Sequence, residues 1–393
     1  MNTQCDVLDT SAPVTVDAFV TVELEADDPA AVALIAASFD HVALAHVFIF
    51  AAPETDLEAL VEGLSRSLAG VSVSGCTTAG EICSTGYASG RILVVGLPSR
   101  HFATRSVVIE DLGSIDSAAL SRQIVTTRTA LGQVQSDKRD GFAFLMVDGL
   151  SLREDILAAA ITPALGDMPL FGGSAGDGIR FDRTLVVHDG RVLTNAAVLT
   201  FVATDLRIRV FSVNHLRPTS VRMVVTDADP DRRIVREINA EPAAREYARM
   251  VGIAPEALDE FTFAAHPVVV RLGDRHHVRG IQRVGADGEL VFFAAIEEGM
   301  VLTLAEPEDI VTHLEESLAS LSRGGAVRGI LACDCLLRRI EAERNQQGRA
   351  VSEILSRHGV RGFSTYGEQI GPMHLNQTMT GIALYDPVDG PVP

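Results

Sequence analysis

A repeated alternation between short apolar runs and amphipathic helical patterns is the feature that most constrains the fold of this chain. Residues 43–50 form a continuous apolar run, which is typical of a strand buried on both faces of a sheet. Residues 56–68 follow with apolar side chains at helical spacing, and residues 91–97 form a further buried strand. This alternation predicts a mixed α/β fold of two closely packed domains, in which mostly buried sheets are flanked by helices.

A polar, charged segment at residues 226–231 is the predicted linker between the domains. Beyond it, residues 232–251 predict a helix and residues 261–270 predict a strand. No internal repeat is apparent along the chain. The predicted organisation is a loose N-terminal tail with a first strand (1–27), an N-terminal domain (28–225) and a C-terminal domain (232–387).

Charge and cysteine content narrow the class of protein. The 33 basic and 52 acidic residues give a net charge of −19, which argues against nucleic acid or an anionic membrane as the main partner. The apolar runs are too short to span a bilayer, which takes roughly 20 residues, and no signal peptide is expected at the N-terminus. The 5 cysteines form no regular framework, so a cytoplasmic protein with reduced thiols is expected.

The stretch 361–378 places polar side chains between two segments that are predicted to be buried. Glycine-containing bends hold Glu368, His374, Asn376 and Gln377 in this stretch. An unpaired buried polar atom costs about 1–3 kcal/mol, so these groups need partners or a ligand. They form either a turn whose polar groups satisfy one another or part of a ligand site.

Cysteines and carboxylates beside glycine-rich bends are candidate catalytic or metal-binding residues. Cys76 could act as a nucleophile, but no histidine lies within its motif, and a buried structural thiol is the alternative. Cys333 and Cys335 precede a helix start, which is a weak signal for a metal or redox site. Glu81 and Glu368 each follow a glycine in a tight bend and could pair as acid and base, although nothing in the sequence shows that they meet.

Histidines are a further set of candidate ligands. His276 and His277 are neighbours on a predicted strand, so their side chains point to opposite faces. His266 precedes an apolar strand and His374 follows a bend, so either could face inward. A hydrogen-bonded or exposed histidine is the alternative in each case. The glycine-rich run at residues 171–178 lacks the ending of a P-loop, and a close approach of two backbones accounts for it.

Three motifs together resemble the signatures of one family. The run Gly-Cys-Thr-Thr-Ala-Gly-Glu-Ile at residues 75–82 resembles the signature of the FIST N-terminal domain. The run Phe-Gly-Gly-Ser-Ala-Gly-Asp at residues 171–177 resembles the second signature of that domain. Several residues between 362 and 378 resemble the C-terminal FIST signature. The motifs stand in the expected order, and the resemblance runs from about residue 30 to residue 385, most of the chain.

Within the FIST family, further details resemble the haem-binding, nitric-oxide-sensing branch called the NosP type. The likeness is carried by Ala265-His266-Pro267 with Val278-Arg279, by Phe292-Phe293 with Glu298-Gly299, and by residues 333–341. The sequence departs from that branch at His276-His277, where aromatic residues are expected. The resemblance implies a cytoplasmic nitric oxide sensor that binds haem b and is not an enzyme.

Haem needs an apolar slot, an axial ligand and cations near its propionates. The candidate axial ligands are His374, His266 and, less strongly, Cys333 or Cys335. The candidate propionate partners are Arg271, Arg279 and Arg338. The resemblance also implies a signalling partner, either a sensor histidine kinase or a cyclic-di-GMP cyclase or phosphodiesterase, and it is compatible with a homo-oligomer.

Two other functions fit the sequence. One is a haem-free sensor of a small polar metabolite, whose binding residues would be Glu81, Glu368, Asn376 and Gln377. The other is a zinc or iron–sulfur sensor, since four thiolates suit either metal; its ligands would be Cys76, Cys83, Cys333 and Cys335. A visible absorption spectrum separates these functions, because a sharp Soret band indicates haem and broad absorption near the violet indicates an iron–sulfur cluster.

Overall fold

The chain is built from three similar units of alternating strands and helices, and a further segment is inserted into the third unit. The computed structural model describes residues 14–16, 18–134, 138–272 and 275–387. The predicted mixed α/β class is confirmed, because buried sheets are flanked by helices. Residues 1–13 and 17, about half of the predicted tail and first strand (1–27), lie outside the described residues.

The first unit follows a short strand, β1 (Val14–Val16). Its elements are β2 (Phe19–Glu25), α1 (Ala31–Phe39), β3 (Leu44–Ala51), α2 (Leu57–Ser67), β4 (Ser72–Thr77), β5 (Glu81–Cys83), β6 (Gly86–Ala88) and β7 (Arg91–Pro98). Helix α2 begins where its pattern predicts, because the Asp56 carboxylate accepts the Ala59 backbone N–H at 3.0 Å.

The second unit repeats this order of elements. They are β8 (Phe102–Glu110), α3 (Ser117–Val134), β9 (Asp140–Val147), α4 (Glu154–Leu165), β10 (Leu170–Ser174), β11 (Val186–His188), β12 (Arg191–Leu193) and β13 (Ala196–Thr204). Strands β9 and β10 are parallel, as are β3 and β4, and an α-helix connects the two strands of each pair.

The third unit begins with β14 (Arg207–Val213) and is then interrupted by residues 216–307, here called the insertion. The insertion contains β15 (Leu216–Asp229), β16 (Ile234–Ile238), β17 (Glu241–Pro242), α5 (Ala243–Val251), α6 (Glu260–Ala265), β18 (Val268–Leu272), β19 (Arg275–Arg279), β20 (Ile281–Val284), β21 (Leu290–Phe292) and β22 (Val301–Pro307). The unit resumes with α7 (Ile310–Leu321), β23 (Val327–Cys335), α8 (Leu336–Arg344), α9 (Gly348–Arg357), β24 (Val360–Thr365), β25 (Glu368–Ile370), β26 (Met373–Leu375) and β27 (Met379–Tyr385).

Each unit gives one hairpin to the sheet of another unit. The three sheets have the strand orders β2-β7-β3-β4-β11-β12, β8-β13-β9-β10-β25-β26 and β14-β27-β23-β24-β5-β6, with β1 added at the edge of the first. The hairpin of the first unit therefore completes the third sheet, that of the second completes the first, and that of the third completes the second. The arrangement is a pseudo-threefold ring.

One core lies between the three sheets, and the helices cover their outer faces. The rings of Phe50 and Phe363 stack with centroids 4.5 Å apart, and those of Phe144 and Phe171 lie 4.9 Å apart, so all three units contribute. Helices α1 and α2 pack on the first sheet, α3 and α4 on the second, and α7 and α9 on the third. The sequence predicts no internal repeat, and this prediction is wrong for the structure, because three similar units are present.

The insertion is where the secondary structure predicted from sequence is least accurate. Residues 232–251, predicted as one helix, include strand β16, whose buried Val235 and Ile238 pack inside the insertion, and only α5 is helical. Residues 261–265, predicted as strand, belong to helix α6, because Asp259 caps its N-terminus through the Thr262 N–H at 2.7 Å. The predicted linker at 226–231 begins within β15, inside the insertion. Among the described helices, none is long and apolar enough to cross a membrane.

Candidate functional site

The bends that follow β4, β10 and β24 meet at the centre of the ring. Each of these strands contains a glycine whose missing Cβ leaves room for the carbonyl of the neighbouring parallel strand, at Gly75, Gly172 and Gly362. One backbone N–H of each bend donates to a carbonyl of the next bend: Ala79 to Ser364 (2.9 Å), Gly176 to Thr77 (3.0 Å) and Tyr366 to Ser174 (3.4 Å). The three glycine-rich motifs of the sequence are thus one structural feature repeated three times.

Glu81 is a buried carboxylate at the end of the first bend. It accepts a short hydrogen bond from the Thr78 hydroxyl and a second bond, of 3.2 Å, from the Arg91 backbone N–H. Burial raises the pKa of Glu81 to about 7, although both hydrogen bonds oppose that shift. Glu81 therefore changes protonation near neutral pH.

Glu368 occupies the equivalent position in the third unit. It accepts a short hydrogen bond from the Thr365 hydroxyl and, at 2.7 and 3.3 Å, bonds from the hydroxyl and backbone N–H of Thr378. Burial raises the pKa of Glu368 to about 8. In the second unit the strand register places Ala175 and Val186 at the threonine and glutamate positions, so the carboxylate recurs in two of the three units.

An open cleft of about 420 Å³ lies beside Glu81. It is lined by the bend of the first unit, residues 78–81, by residues 52–54 after β3 and by residues 177–180 of the second unit. Arg180 and Glu54 form an exposed ion pair at this cleft. The structure therefore brings together the two glycine-rich motifs of the N-terminal half, which the sequence does not show to be neighbours.

Asp177 fixes the segment of the second unit that lines this cleft. Its carboxylate accepts the backbone N–H groups of residues 181, 182 and 183 at 2.8–2.9 Å and a short hydrogen bond from the Tyr366 hydroxyl. Burial acts to raise the pKa of Asp177, but these hydrogen bonds hold it below its usual range. The Tyr366 ring also lies 4.6 Å from the Phe181 ring and 6.2 Å from the Phe293 ring of the insertion, centroid to centroid.

The equivalent place beside Glu368 is closed by the insertion. The polar side chains predicted to bind a ligand instead hydrogen-bond the insertion backbone: His374 Nε2 to the Phe293 carbonyl (3.3 Å), Asn376 Oδ1 to the Gly280 N–H (3.1 Å) and Gln377 Nε2 to the Ala264 carbonyl (2.9 Å). The predicted clustering of Glu368, Asn376 and Gln377 is present in the structure, and Glu81 lies apart from it, in a different cleft.

Two protein-family models match this chain. The FIST N domain matches residues 45–241, and the FIST C domain matches residues 243–371. The chain belongs to the FIST family. FIST domains generally act as sensor domains in signal transduction and are sensory rather than catalytic.

This FIST protein also resembles an uncharacterized protein of Methanocaldococcus jannaschii. The two are 22% identical over 280 residues, which are 62% of this chain and 53% of the relative. The chain thus spans about half the length of the curated relative that it matches. The resemblance adds no activity, since the description of that relative states none.

His374 does not fit the role of a haem ligand in this FIST protein as it stands. Its Nδ1 atom accepts from Gln369 Nε2 at 3.1 Å, while its Nε2–H donates to the Phe293 carbonyl. Burial lowers the pKa of His374, so the ring is neutral. An axial ligand needs a free ring nitrogen, and both nitrogens of His374 already have protein partners.

The other predicted haem residues of the FIST protein are scattered. Arg279 approaches the His374 carbonyl at 3.5 Å, but Arg338 is buried in a separate network with Asp334. His266 is half-buried at the end of α6, where burial lowers its pKa. Arg271 lies in a surface cavity of about 550 Å³ on the insertion.

The four predicted thiol ligands are not gathered into one site. Cys76 and Cys333 belong to the core between the three sheets, and Cys335 belongs to a cluster beside the insertion. Burial raises the pKa of all four thiols, including that of Cys83, so they remain protonated. Within the described ranges, no group of three or more His, Cys, Asp or Glu residues could hold a metal ion.

The contact between α4 and the insertion has no counterpart among the sites predicted from the sequence. Arg233, only 2% exposed, donates short hydrogen bonds to the Glu154 carboxylate and the Phe293 carbonyl, and it lies 3.4 Å from Asp155. Arg153 adds an ion pair with Asp231 at 3.1 Å. No local sequence pattern indicates these pairs, because the partners are far apart in the chain. Their opposite charges are a signal only once the fold has brought them close together in space.

Proposed function

We propose that this FIST protein is a sensor that binds a small ligand bearing N–H or ammonium groups in the cleft beside Glu81. The observation that carries the proposal is a buried carboxylate on the wall of an open cleft. A buried carboxylate in such a place gains from a ligand that supplies a charge-assisted hydrogen bond. The sensory class of the family supports binding rather than turnover.

Charge decides the class of ligand. The acidic residues Glu54, Glu81 and Asp177 line the cleft together with Arg180, which is paired with Glu54. A second arginine, Arg339, donates to Ser89 of the cleft and acts on Glu81. In this proposal the three acidic residues outweigh the two arginines, so a cationic ligand is favoured over an anionic one. Since the pKa of Glu81 is about 7, a cationic ligand binds its ionised form better, and affinity increases as the pH rises through 7.

Calorimetric titration of the full chain with a panel of small amines and guanidines, and with matched carboxylates and phosphates, tests this proposal. We expect binding from the cationic set, weakened about tenfold or more by Glu81→Gln because a charge-assisted bond is lost. Glu62→Gln, on the exposed face of α2, is the matched control and should leave affinity unchanged. Anion binding, or cation binding unaffected by Glu81→Gln, would contradict the proposal.

The signal passes, in this proposal, to a sensor histidine kinase or a cyclic-di-GMP enzyme, and the protein has no turnover of its own. The partner's autophosphorylation or cyclic-di-GMP synthesis should change when ligand is added to the FIST protein, and Glu81→Gln should abolish that change. Steady hydrolysis or redox turnover of a small substrate by the purified chain would oppose this function.

A second candidate function is a haem-dependent nitric oxide sensor. The cavity of about 550 Å³ on the insertion combines the apolar Val270 and Val301 with Arg222, Arg271 and His276. In this candidate the valines would contribute to the apolar slot, the arginines would supply the cations and His276 the imidazole that haem b requires, and bound haem would supply the iron that takes nitric oxide. In this candidate, His276 replaces His374 and His266 as the first choice of axial ligand.

A visible absorption spectrum of the protein mixed with hemin tests this candidate. A sharp Soret band that is lost in His276→Ala and kept in His374→Ala would support it. If wild type shows no Soret band, or if His374→Ala alone removes it, the insertion cavity is not the haem site.

A further inference from the structure

We propose that the buried cluster around Glu368 is a second binding site for the same class of ligand, and that the insertion is the lid that closes it. This inference rests on the proposed function of the Glu81 cleft. It adds a site, a second ligand equivalent and a moving part, none of which the cleft itself requires.

The two sites are equivalent by their position in the ring. Glu368 and Glu81 stand at the same register opposite a neighbouring bend, since Glu368 pairs with Gly173 and Glu81 pairs with Phe363. Each accepts a hydroxyl bond from the threonine three residues before it and an N–H bond at the start of the unit's last strand. The chemistry of the open cleft is therefore reproduced at the closed site.

The residue before the one whose N–H bonds the glutamate is also equivalent, and in the third unit it is not glycine. Gly90, which lines the open cleft, has a φ of 71°, and Gln377 has a φ of 46°. A left-handed backbone disfavours a residue with a Cβ, so the amide side chain of Gln377 is retained against a conformational cost. That side chain lies in the part of the site that corresponds to the wall of the cleft.

One buried acceptor at the closed site lacks a partner. The Oε1 atom of Gln377 has no hydrogen-bond partner among the described residues, although its side chain is 0% exposed. An unsatisfied buried acceptor is costly, and a ligand that presents an N–H donor would satisfy it. The Oε1 atom of Gln369 is also unpartnered, but its side chain lies on the opposite face of β25, where it contacts Ser174 and His374.

The insertion has the connections of a lid. Its two ends, where the chain leaves and re-enters the third unit, are held together by the hydrogen bond of 2.7 Å from the Glu308 N–H to the His215 carbonyl. On the far side, Arg233 fastens it to the Glu154 and Asp155 carboxylates. Rotation about the paired ends would uncover Glu368 once three sets of contacts are broken: those of Arg233, the bonds of the third unit to the insertion backbone, and the packing of Phe293 and Ala264 beside Cys335.

The Cys335 thiol is a native reporter of that motion. It is 1% exposed and packs in one cluster with Phe293 and Ala264 of the insertion, whereas Cys76 is buried between the three sheets. We would label full-length Cys333→Ala protein with N-ethylmaleimide and follow both thiols by mass spectrometry. The paired change Glu154→Gln with Arg233→Met, which leaves no buried charge alone, should speed Cys335 labelling about tenfold or more.

Cys76 in the same sample reports global unfolding and should label no faster. Equal rates for Cys335 and Cys76 in the paired variant would overturn the lid.

Methylguanidinium chloride is the probe for the second site. In the paired variant it should slow Cys335 labelling, and Glu368→Gln should remove that protection while Glu81→Gln leaves it. Protection that Glu368→Gln does not change overturns the second site. Calorimetric binding lost only with Glu81→Gln supports the cleft and refutes the second site, whereas binding lost only with Glu368→Gln does the reverse.

Discussion

Two glutamates, Glu81 and Glu368, combine deep burial with a pKa near or above neutrality. Their hydroxyl and backbone partners stabilise the ionised form, but burial outweighs those bonds, and the pKa values are about 7 and about 8. A carboxylate that holds its proton in the folded state and releases it in the unfolded state makes stability depend on pH.

The free energy of unfolding should therefore fall as the pH rises from about 4.5, the ordinary glutamate value, to about 8. In that window the folded state keeps the Glu368 proton and the unfolded state does not, so each such group contributes a slope of up to about 1.4 kcal/mol per pH unit. Urea unfolding at pH 5.5 and 7.5 measures it. Glu368→Gln should reduce the loss between the two pH values, and the exposed Glu62→Gln should not.

The glycines of β4, β10 and β24 that lie against a parallel strand should tolerate no side chain. A Cβ at Gly75 would collide with the carbonyl of the neighbouring strand, so Gly75→Ala should cost about 3 kcal/mol or more. Gly172→Ala should cost a similar amount, because its surroundings are the same. Gly132→Ala, in an open position of helix α3, should instead stabilise by about 0.5–1 kcal/mol. Equal melting temperatures for Gly75→Ala and Gly132→Ala would contradict the close approach.

Individual residues of the candidate site show what could be predicted from the sequence and what could not. The clustering of Glu368, His374, Asn376 and Gln377 was predictable, because they stand close together between two buried segments. Their partners were not, because Ala264, Gly280 and Phe293 contribute only backbone groups, and backbone groups carry no signature in the sequence. A polar motif that holds a neighbouring segment looks the same in sequence as one that holds a ligand.

At the scale of elements, the segment that follows β10 couples the cleft to the insertion. Asp177 anchors this segment at the cleft, and Phe181 within it contacts Phe293 of the insertion with ring centroids 5.7 Å apart. Tyr366, on the third unit, bonds to Asp177 and packs on Phe181. A shift of this segment on ligand binding would reach the insertion directly.

Tyr366→Phe should weaken that coupling. Loss of the hydroxyl removes one bond to a buried carboxylate and should cost about 1–3 kcal/mol of stability. It should also loosen residues 177–183 in hydrogen exchange and weaken ligand binding at the cleft. Tyr385→Phe removes a bond of 3.0 Å to the Leu321 carbonyl away from the cleft and is the matched control. A ligand affinity that falls equally in both variants would show that the effect is only on stability.

Elements with strong periodicity were predicted well, and the insertion was not. Buried strands such as β3 and β7 are largely apolar, with His46 in β3 as an exception, and their ends fall within a residue or so of the prediction. Strand β16 is short and half exposed, and it stands beside the amphipathic helix α5, so its residues were absorbed into one predicted helix. Tertiary pairing with β15 and β21 decides its conformation, and that pairing has no local signal.

At the scale of the whole molecule, the ring should fold without the insertion. The His215 carbonyl and the Glu308 N–H are 2.7 Å apart, so a short glycine linker can replace residues 217–306. We expect this deletion variant to be soluble and to unfold cooperatively, as measured by circular dichroism. By contrast, removal of residues 362–393 should give insoluble protein, since β24, β25 and β27 belong to two different sheets. An insoluble deletion variant beside a soluble truncation would refute the ring as the folding unit.

The pseudo-threefold repeat itself was hidden in the sequence for physical reasons. The units share an order of elements and a glycine-rich bend, but the middle bend has Ala175 and Val186 where the others have a threonine and a glutamate. The third unit is also interrupted by the insertion. The available signal was the matching interval from Gly75 to Glu81 and from Gly362 to Glu368, each at the end of a buried run.

The exchange of hairpins around the ring has a consequence for synthesis on the ribosome. Strand β5 pairs with β24, which lies much later in the chain, as the pairing of Ile82 with Gly362 shows. The third sheet therefore cannot form until residues 360–385 have been synthesised, and the second sheet waits for β25 and β26, so the edges of β5 and β10 stay unpaired until then. Such long-range pairing slows folding and leaves edges open to aggregation, so this protein should depend on chaperones more than a chain of separate domains does.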